Sequence, residues 1–179
     1  VTLDTSHFNS LISACATARQ PAKVRSSVLS MMNLGLKINS ATLDSAFKAF
    51  DVPWEVESMY ELLEFARQSN ITLHASNFNS VIASCKMIPV ELTRTIEEKL
   101  NKRWKRALEF LDDMVLSNVM PNSRTFNTAM DVFEHEKQWN QVIGMYQMMR
   151  ILGIVPDQAS FAYVLSACEQ EGLWEQANL

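Results

Sequence analysis

The feature that most constrains this chain is a short phrase that recurs along it. His7-Phe8-Asn9-Ser10 returns as Asn77-Phe78-Asn79-Ser80 and again as Thr125-Phe126-Asn127-Thr128. More divergent copies stand at Thr42-Leu43-Asp44-Ser45 and Ser160-Phe161-Ala162-Tyr163. The aromatic or leucine position falls at 8, 43, 78, 126 and 161, giving intervals of 35, 35, 48 and 35 residues. Three equal intervals and one that is 13 residues longer describe a repeat carrying a single insertion.

Every copy opens with apolar residues at i, i+3, i+4 and i+7, the spacing of one helical stripe. The stripes are Phe8, Leu11, Ile12, Cys15; Leu43, Ala46, Phe47, Phe50; Phe78, Val81, Ile82, Cys85; Phe126, Ala129, Met130, Phe133; and Phe161, Val164, Leu165, Cys168. A second stripe with the same spacing follows: Val24, Ser27, Val28, Met31; Met59, Leu62, Leu63, Ala66; Ala107, Phe110, Leu111, Met114; and Val142, Met145, Tyr146, Met149. Gly35 and Gly153 sit where second helices should end, and Pro121 and Pro156 where the chain cannot continue helically. A helix pair of this length cannot bury its stripes alone, whereas stacked pairs share a continuous core. The predicted fold is therefore all-α, an α-solenoid of stacked antiparallel helix pairs. The units are predicted at residues 5–39, 40–74, 75–122 (with the insertion), 123–157 and 158–179. The last second helix, opening at Trp174, is a stub, so the sequence reads as a segment of a longer protein.

Composition agrees. Four glycines and five prolines argue against a turn-rich β protein and against a glycine-rich phosphate cradle. A net charge of −4 does not suit indiscriminate coating of nucleic acid. Three widely spaced cysteines make no disulfide framework and suit a reducing compartment. No apolar run reaches membrane-spanning length. The first residues carry no basic or apolar leader, so any targeting peptide has been removed or lies outside this chain.

The unit from Ser123 to Asp157 begins S-R-T-F-N-T-A-M and ends M-M-R-I-L-G-I-V-P-D. Its opening T-F-N and its closing M-x-x-x-G-x-x-P-D resemble the signature of the pentatricopeptide repeat (PPR) family, as a degenerate array of the plain 35-residue type. The run from Ser166 to Ala177 resembles a common mid-repeat phrase of that family. The tryptophan, glycine and tyrosine spacing of the tetratricopeptide repeat is absent.

The resemblance implies binding of single-stranded RNA at about one base per repeat, with bases read by the fifth and last residue of each unit. Mapped here, those pairs are Asn9 with Asn39, Asp44 with His74, Asn79 with Asn122, and Asn127 with Asp157. The fifth unit offers Ala162, which cannot read a base edge. A short amide or carboxylate can present donors and acceptors to a pyrimidine edge. The same residues can equally serve as helix caps or line the inter-helix turn. By the family analogy two Asn residues favour cytosine and an Asn–Asp pair favours uracil. The family's bulky apolar clamp, at the second residue, is replaced here by Ser6, Ala41, Ser76, Arg124 and Ala159. Most of the base-stacking contribution, roughly 1–3 kcal/mol per base, is thereby missing.

The insertion falls between Cys85 and Trp104. From Lys86 to Arg106 there are seven basic and three acidic residues, a local +4 on a remainder of −8. The segment after Pro89 reads as a short extra helix or a lengthened second helix. Lys99, Lys102, Arg103, Lys105 and Arg106 are candidates to hold RNA phosphates or a partner; the alternative is a solvated helix face with pairs such as Glu98 to Lys102.

Catalytic chemistry is not predicted. Cys15, Cys85 and Cys168 share the eleventh position of their units with Phe50 and Phe133, which marks a core position rather than a metal set. His7, His74 and His135 have no ligand partner at i+3 or i+4. No metal, cofactor, small-molecule substrate or membrane is expected. The residues and the resemblance together imply a non-catalytic RNA-binding or scaffold protein. Its partners would be single-stranded RNA or rRNA and other proteins of a ribonucleoprotein such as the mitochondrial ribosome. The compartment implied is the mitochondrion, with the plastid as alternative. The competing reading is a protein-interaction solenoid that touches no RNA.

Overall fold

The stripes become helices. The computed structural model describes residues 4–49, 56–69, 71–87 and 103–172, and among these all regular structure is helical. In chain order the elements are α1 (Thr5–Thr17), α2 (Pro21–Asn33), α3 (Ser40–Ala49), α4 (Val56–Gln68), α5 (Ala75–Ser84) with a 3₁₀ turn at Cys85–Met87, α6 (Arg103–Leu116), α7 (Ser123–His135), α8 (Trp139–Ile151) and α9 (Gln158–Glu171). The first helices begin at Thr5, Ser40, Ala75, Ser123 and Gln158, the positions at which the 35-residue period opens its units. The fold is an all-α helical repeat of the solenoid class.

The chain divides into two compact units, Val1–Met87 and Ile88–Leu179. In the first, α1 packs on α2 and α3, α3 on α5, and α4 on α5. In the second, α7 packs on α6 and α8, and α9 packs on both α7 and α8. The first core is built on Ile12, Met31, Leu43, Phe47, Met59, Phe78 and Ile82, and the second on Phe110, Met114, Met130, Phe133 and Met149, all nearly solvent-free. Burying one such side chain stabilises by roughly 1.5–3 kcal/mol, and no helix here is long enough to stand without that contribution.

Four stripe residues depart from expectation. Leu11, Phe161 and Leu165 are 41–48% exposed. They lie on α1 and α9. On α8 Ile143 is buried and Met145 half-buried, while Val142, Tyr146 and Met149 keep their predicted places. Phe50, assigned to a stripe, and Trp174, where the last second helix was expected to open, lie outside the described residues, as does the extra helix expected after Pro89.

The turns are as periodic as the helices. Arg19, Lys137 and Gly172 have φ of 51°, 55° and 66° at the end of first helices, and Gly35, Asn118 and Gly153 have 65°, 56° and 70° at the end of second helices. At Gly35 the left-handed residue and its successor donate back to Met32 and Met31, and Gly153 and Ile154 do the same to Arg150 and Met149. Arg19 with Gln20, Lys137 with Gln138, and Asn118 with Val119 close their helices identically. This two-bond closure satisfies the last carbonyls of a helix and reverses the chain. Pro21 at the first position of α2 uses the one place where a helix loses no hydrogen bond to proline.

Candidate nucleic-acid interface

The first helices open on a cap between the residue before the helix and its own third residue, reciprocal ahead of α1, α3, α7 and α9 and one-sided ahead of α5. Asp4 caps α1 with His7, Asn122 caps α7 with Thr125, and Asp157 caps α9 with Ser160. Ahead of α3, Asn39 Oδ1 accepts the Thr42 amide at 2.9 Å while the Asn39 amide donates to Thr42 Oγ1. Ahead of α5, the His74 amide donates to Asn77 Oδ1 at 2.8 Å. The last-position candidates Asn39, Asn122 and Asp157 therefore all hold a helix N-terminus with their side chains, whatever else they do.

The fifth-position candidates connect to the same caps. Asn127 stands directly against Asp157, with Nδ2 at 2.9 Å from each carboxylate oxygen. Its Oδ1 accepts the Ser160 hydroxyl at 2.6 Å. Asp157 also accepts from the Ser160 amide at 3.0 Å and from the Ser123 hydroxyl at 3.0 Å. The backbone N–H of Ser160 and the Asn127 amide, in that order, hold the Asp157 carboxyl down at about 2. Asn9 and Asn39 meet through Thr42, whose hydroxyl lies between their two Oδ1 atoms. Asp44 accepts from Asn77 Nδ2 at 2.7 Å and from the Ser76 hydroxyl at 3.2 Å, and His74 reaches this group only through its backbone. Asn79 is 8% exposed and its buried Oδ1 has no hydrogen-bond partner among the described residues. It lies in the first compact unit and Asn122 in the second.

The third residue of each first helix was absent from the sequence-based candidates. Thr42, Asn77, Thr125 and Ser160 are at most 1% exposed, and such buried polar groups need partners. Their signal was present in the sequence: a polar pair three residues apart just before an apolar run is a helix-start signature. It recurs as Asp4 and His7, Asn39 and Thr42, His74 and Asn77, Asn122 and Thr125, Asp157 and Ser160.

The basic candidates are dispersed. Lys99 and Lys102 lie outside the described residues. Arg103, Lys105 and Arg106 sit on the first turn of α6, a helix with a buried face. Arg103 donates to the Glu136 carboxylate at 2.7 Å, with the two side chains only 13% and 24% exposed. Arg106 lies over the Phe110 ring and 3.9 Å from Glu109. Lys105 is exposed, its Nζ 5.7 Å from the centre of the Trp104 ring. Of these three only Lys105 is exposed.

Cys15, Cys85 and Cys168 are buried free thiols, and burial raises the Cys168 thiol above its ordinary value. Among the described residues no cluster of His, Cys, Asp or Glu is placed to hold a metal ion, and no helix is long and apolar enough to cross a membrane.

The pattern of the PPR repeat matches residues 6–36 and 124–154. The chain carries pentatricopeptide repeats. Its structure is similar to that of PPR10 from maize, with a TM-score of 0.72 at 19% identity. It is likewise similar to PPR10 in complex with an 18-nt psaJ RNA element, and to a cysteine-to-serine variant in the same complex, each with a TM-score of 0.69 at 19% identity. The likeness covers 99% of this chain and 24% of PPR10, so the PPR chain described here spans about a quarter of that protein. No curated protein matches it in sequence.

Proposed function

We propose that this PPR chain is part of a non-catalytic RNA-binding protein that takes single-stranded RNA along its first helices. The observation that carries this reading is the Asn127–Asp157 pair. The fifth and last residues of the best-matching repeat are in direct contact, and their shared edge is exposed. The unit boundaries that go with it are 5–39, 40–74, 75–122, 123–157 and 158–179, with Asn9 and Asn39 as a second pair. The Asn127 amide favours an acceptor such as the O4 of uracil over the N4 amine of cytosine. Arg103 is withdrawn from the phosphate-contact set by Glu136, which leaves Lys105 with Lys99, Lys102 and Arg106. The family resemblance supports an organellar setting, the mitochondrion before the plastid, and membership of a ribonucleoprotein such as the mitochondrial ribosome.

One observation favours the second reading, a scaffold contacting proteins alone. Leu116, Met120, Ile151 and Val155, at the ends of second helices in one unit, are 76–81% exposed, more apolar surface than an RNA groove needs. Fluorescence anisotropy with labelled oligouridylate and oligocytidylate separates the two. Salt-dependent binding with a uridine preference that Asn127→Ala removes supports RNA reading. Absence of binding to either oligomer at low salt refutes it.

A further inference from the structure

We propose that Ser160 is a positioning residue for base selection: its buried hydroxyl fixes which way the Asn127 amide faces, so that the Asn127–Asp157 pair offers a donor to a nucleobase. Thr42 does the same for Asn9. This rests on the RNA-reading function proposed above and adds a third residue, contributed by the following repeat, to each recognition pair.

The argument starts from burial. Ser160 and Thr42 are 0% exposed, and a hydroxyl without a partner at such a site carries a desolvation cost. The amide of Asp157 donates to Ser160 Oγ at 3.2 Å, and the hydroxyl proton has two acceptors in reach, Asn127 Oδ1 at 2.6 Å and Asp157 Oδ1 at 3.1 Å, of which Asn127 is the nearer. The opposite face of Asn127 meets the Asp157 carboxylate, which accepts only. A hydroxyl on one side and a carboxylate on the other leave one amide orientation, Oδ1 to Ser160 and Nδ2 to Asp157. Rotating the amide by half a turn would set its carbonyl against the carboxylate.

The second repeat carries the complementary exchange. The fifth residue there is Asp44, acceptor-only, and the third residue of the next helix is Asn77, whose Nδ2 donates to it at 2.7 Å. For Asn9 and Asn127 the buried partner is a hydroxyl (Thr42, Ser160), and for the carboxylate of Asp44 it is an amide. Capping alone does not require this matching, because a Thr at position 77 would cap α5 as well. The matching follows if the third residue also orients the fifth.

The experiment compares Ser160→Ala, Ser160→Thr and the double variant Asn127→Asp/Ser160→Asn with the parent protein. It has two readouts: NMR of the Asn127 side-chain amide without RNA, and the ratio of affinities for oligouridylate and oligocytidylate. Ser160→Ala should speed exchange of the Asn127 amide protons and reduce the affinity ratio by roughly fivefold, the net worth of one hydrogen bond. Ser160→Thr should restore both. If Ser160→Ala does not fold, the double variant, which recreates the Asp44–Asn77 arrangement, should fold where Asn127→Asp alone is destabilised by two facing carboxylates. An unchanged amide signal in a folded Ser160→Ala, or a double variant no better than Asn127→Asp, overturns the proposal. If the parent protein binds neither oligomer, the RNA reading fails, and the RNA-free amide measurement still decides the positioning role.

Discussion

The Arg103 guanidinium and the Glu136 carboxylate join the first turn of α6 to the C-cap of α7 across 2.7 Å. Both side chains are largely shielded, so removing one takes the nearest opposite charge from a group with little access to solvent. Arg103→Ala should destabilise the protein by roughly 1–3 kcal/mol, while Lys105→Gln, on an exposed position of the same turn, should stay within about 0.5 kcal/mol. Urea denaturation of the two variants checks this, and equal effects would place Arg103 with the solvated charges.

Phosphate binding and base reading should respond differently to mutation. Replacing Lys99, Lys102, Lys105 and Arg106 with Gln should flatten the salt dependence of RNA binding, by about 0.7 in log–log slope for each phosphate of a single strand that is no longer neutralised. Asn127→Ala should change base preference and leave that slope nearly intact. Anisotropy titrations at several salt concentrations separate the two. A Gln variant with an undiminished slope would assign the basic segment to a protein partner.

Much of this architecture was legible in the chain because helix stripes and repeat period are the same signal read at two scales. Phe78, Val81, Ile82 and Cys85 are buried as their spacing predicts. Leu11 and Phe161 obey the same spacing and are exposed, since the period says which face is apolar but not whether a neighbour covers it. The candidate base-reading pairs were placed by family resemblance; of their side chains, Asn127 is in contact with Asp157. Thr42 and Ser160 went unread although they lie inside the recurring phrase. Their burial depends on packing against the preceding repeat, which composition does not report. Arg103 was grouped with exposed cations because Glu136 is distant in sequence.

The repeated left-handed turns give a stability prediction. Lys137 holds φ of 55°, a conformation that costs a side-chain-bearing residue about 1 kcal/mol relative to glycine. Lys137→Gly should stabilise by up to about 1 kcal/mol, offset in part by the greater freedom of glycine in the unfolded chain. Gly153→Ala, at φ of 70°, should destabilise by about as much. Thermal denaturation should move by roughly 2–4 °C in opposite directions. Shifts of the same sign would contradict the turn assignment.

Cys85 is solvent-free, and its Sγ lies 3.5 Å from the Val81 carbonyl one turn earlier. Cys85→Ser places a hydroxyl among apolar neighbours and should cost roughly 1–3 kcal/mol. The Val81 carbonyl can accept from that hydroxyl, which holds the cost toward the lower end. Stoichiometric zinc in the purified protein would overturn the packing role assigned to Cys15, Cys85 and Cys168.

Acid should weaken the Asp157 cap in a definite window. The folded carboxyl titrates at about 2 against an ordinary 3.8, because the Ser160 amide and the Asn127 amide favour its charged form. A depressed folded value means that the unfolded chain binds the proton first as pH falls. The stabilisation is therefore fully present above about pH 4 and declines as the pH drops toward 2. Asp157 is exposed, so solvent screening keeps the effect small, and it should be sought as a difference between variants. Asp157→Asn retains a capping oxygen but cannot titrate. Denaturation midpoints taken from about pH 5 down to about pH 2 should converge, with the parent protein losing its advantage over Asp157→Asn as the carboxylate protonates. A constant gap across that range would mean that the charge of Asp157 contributes nothing to the cap, and that its contacts with Asn127 and Ser160 depend on shape and neutral hydrogen bonding alone.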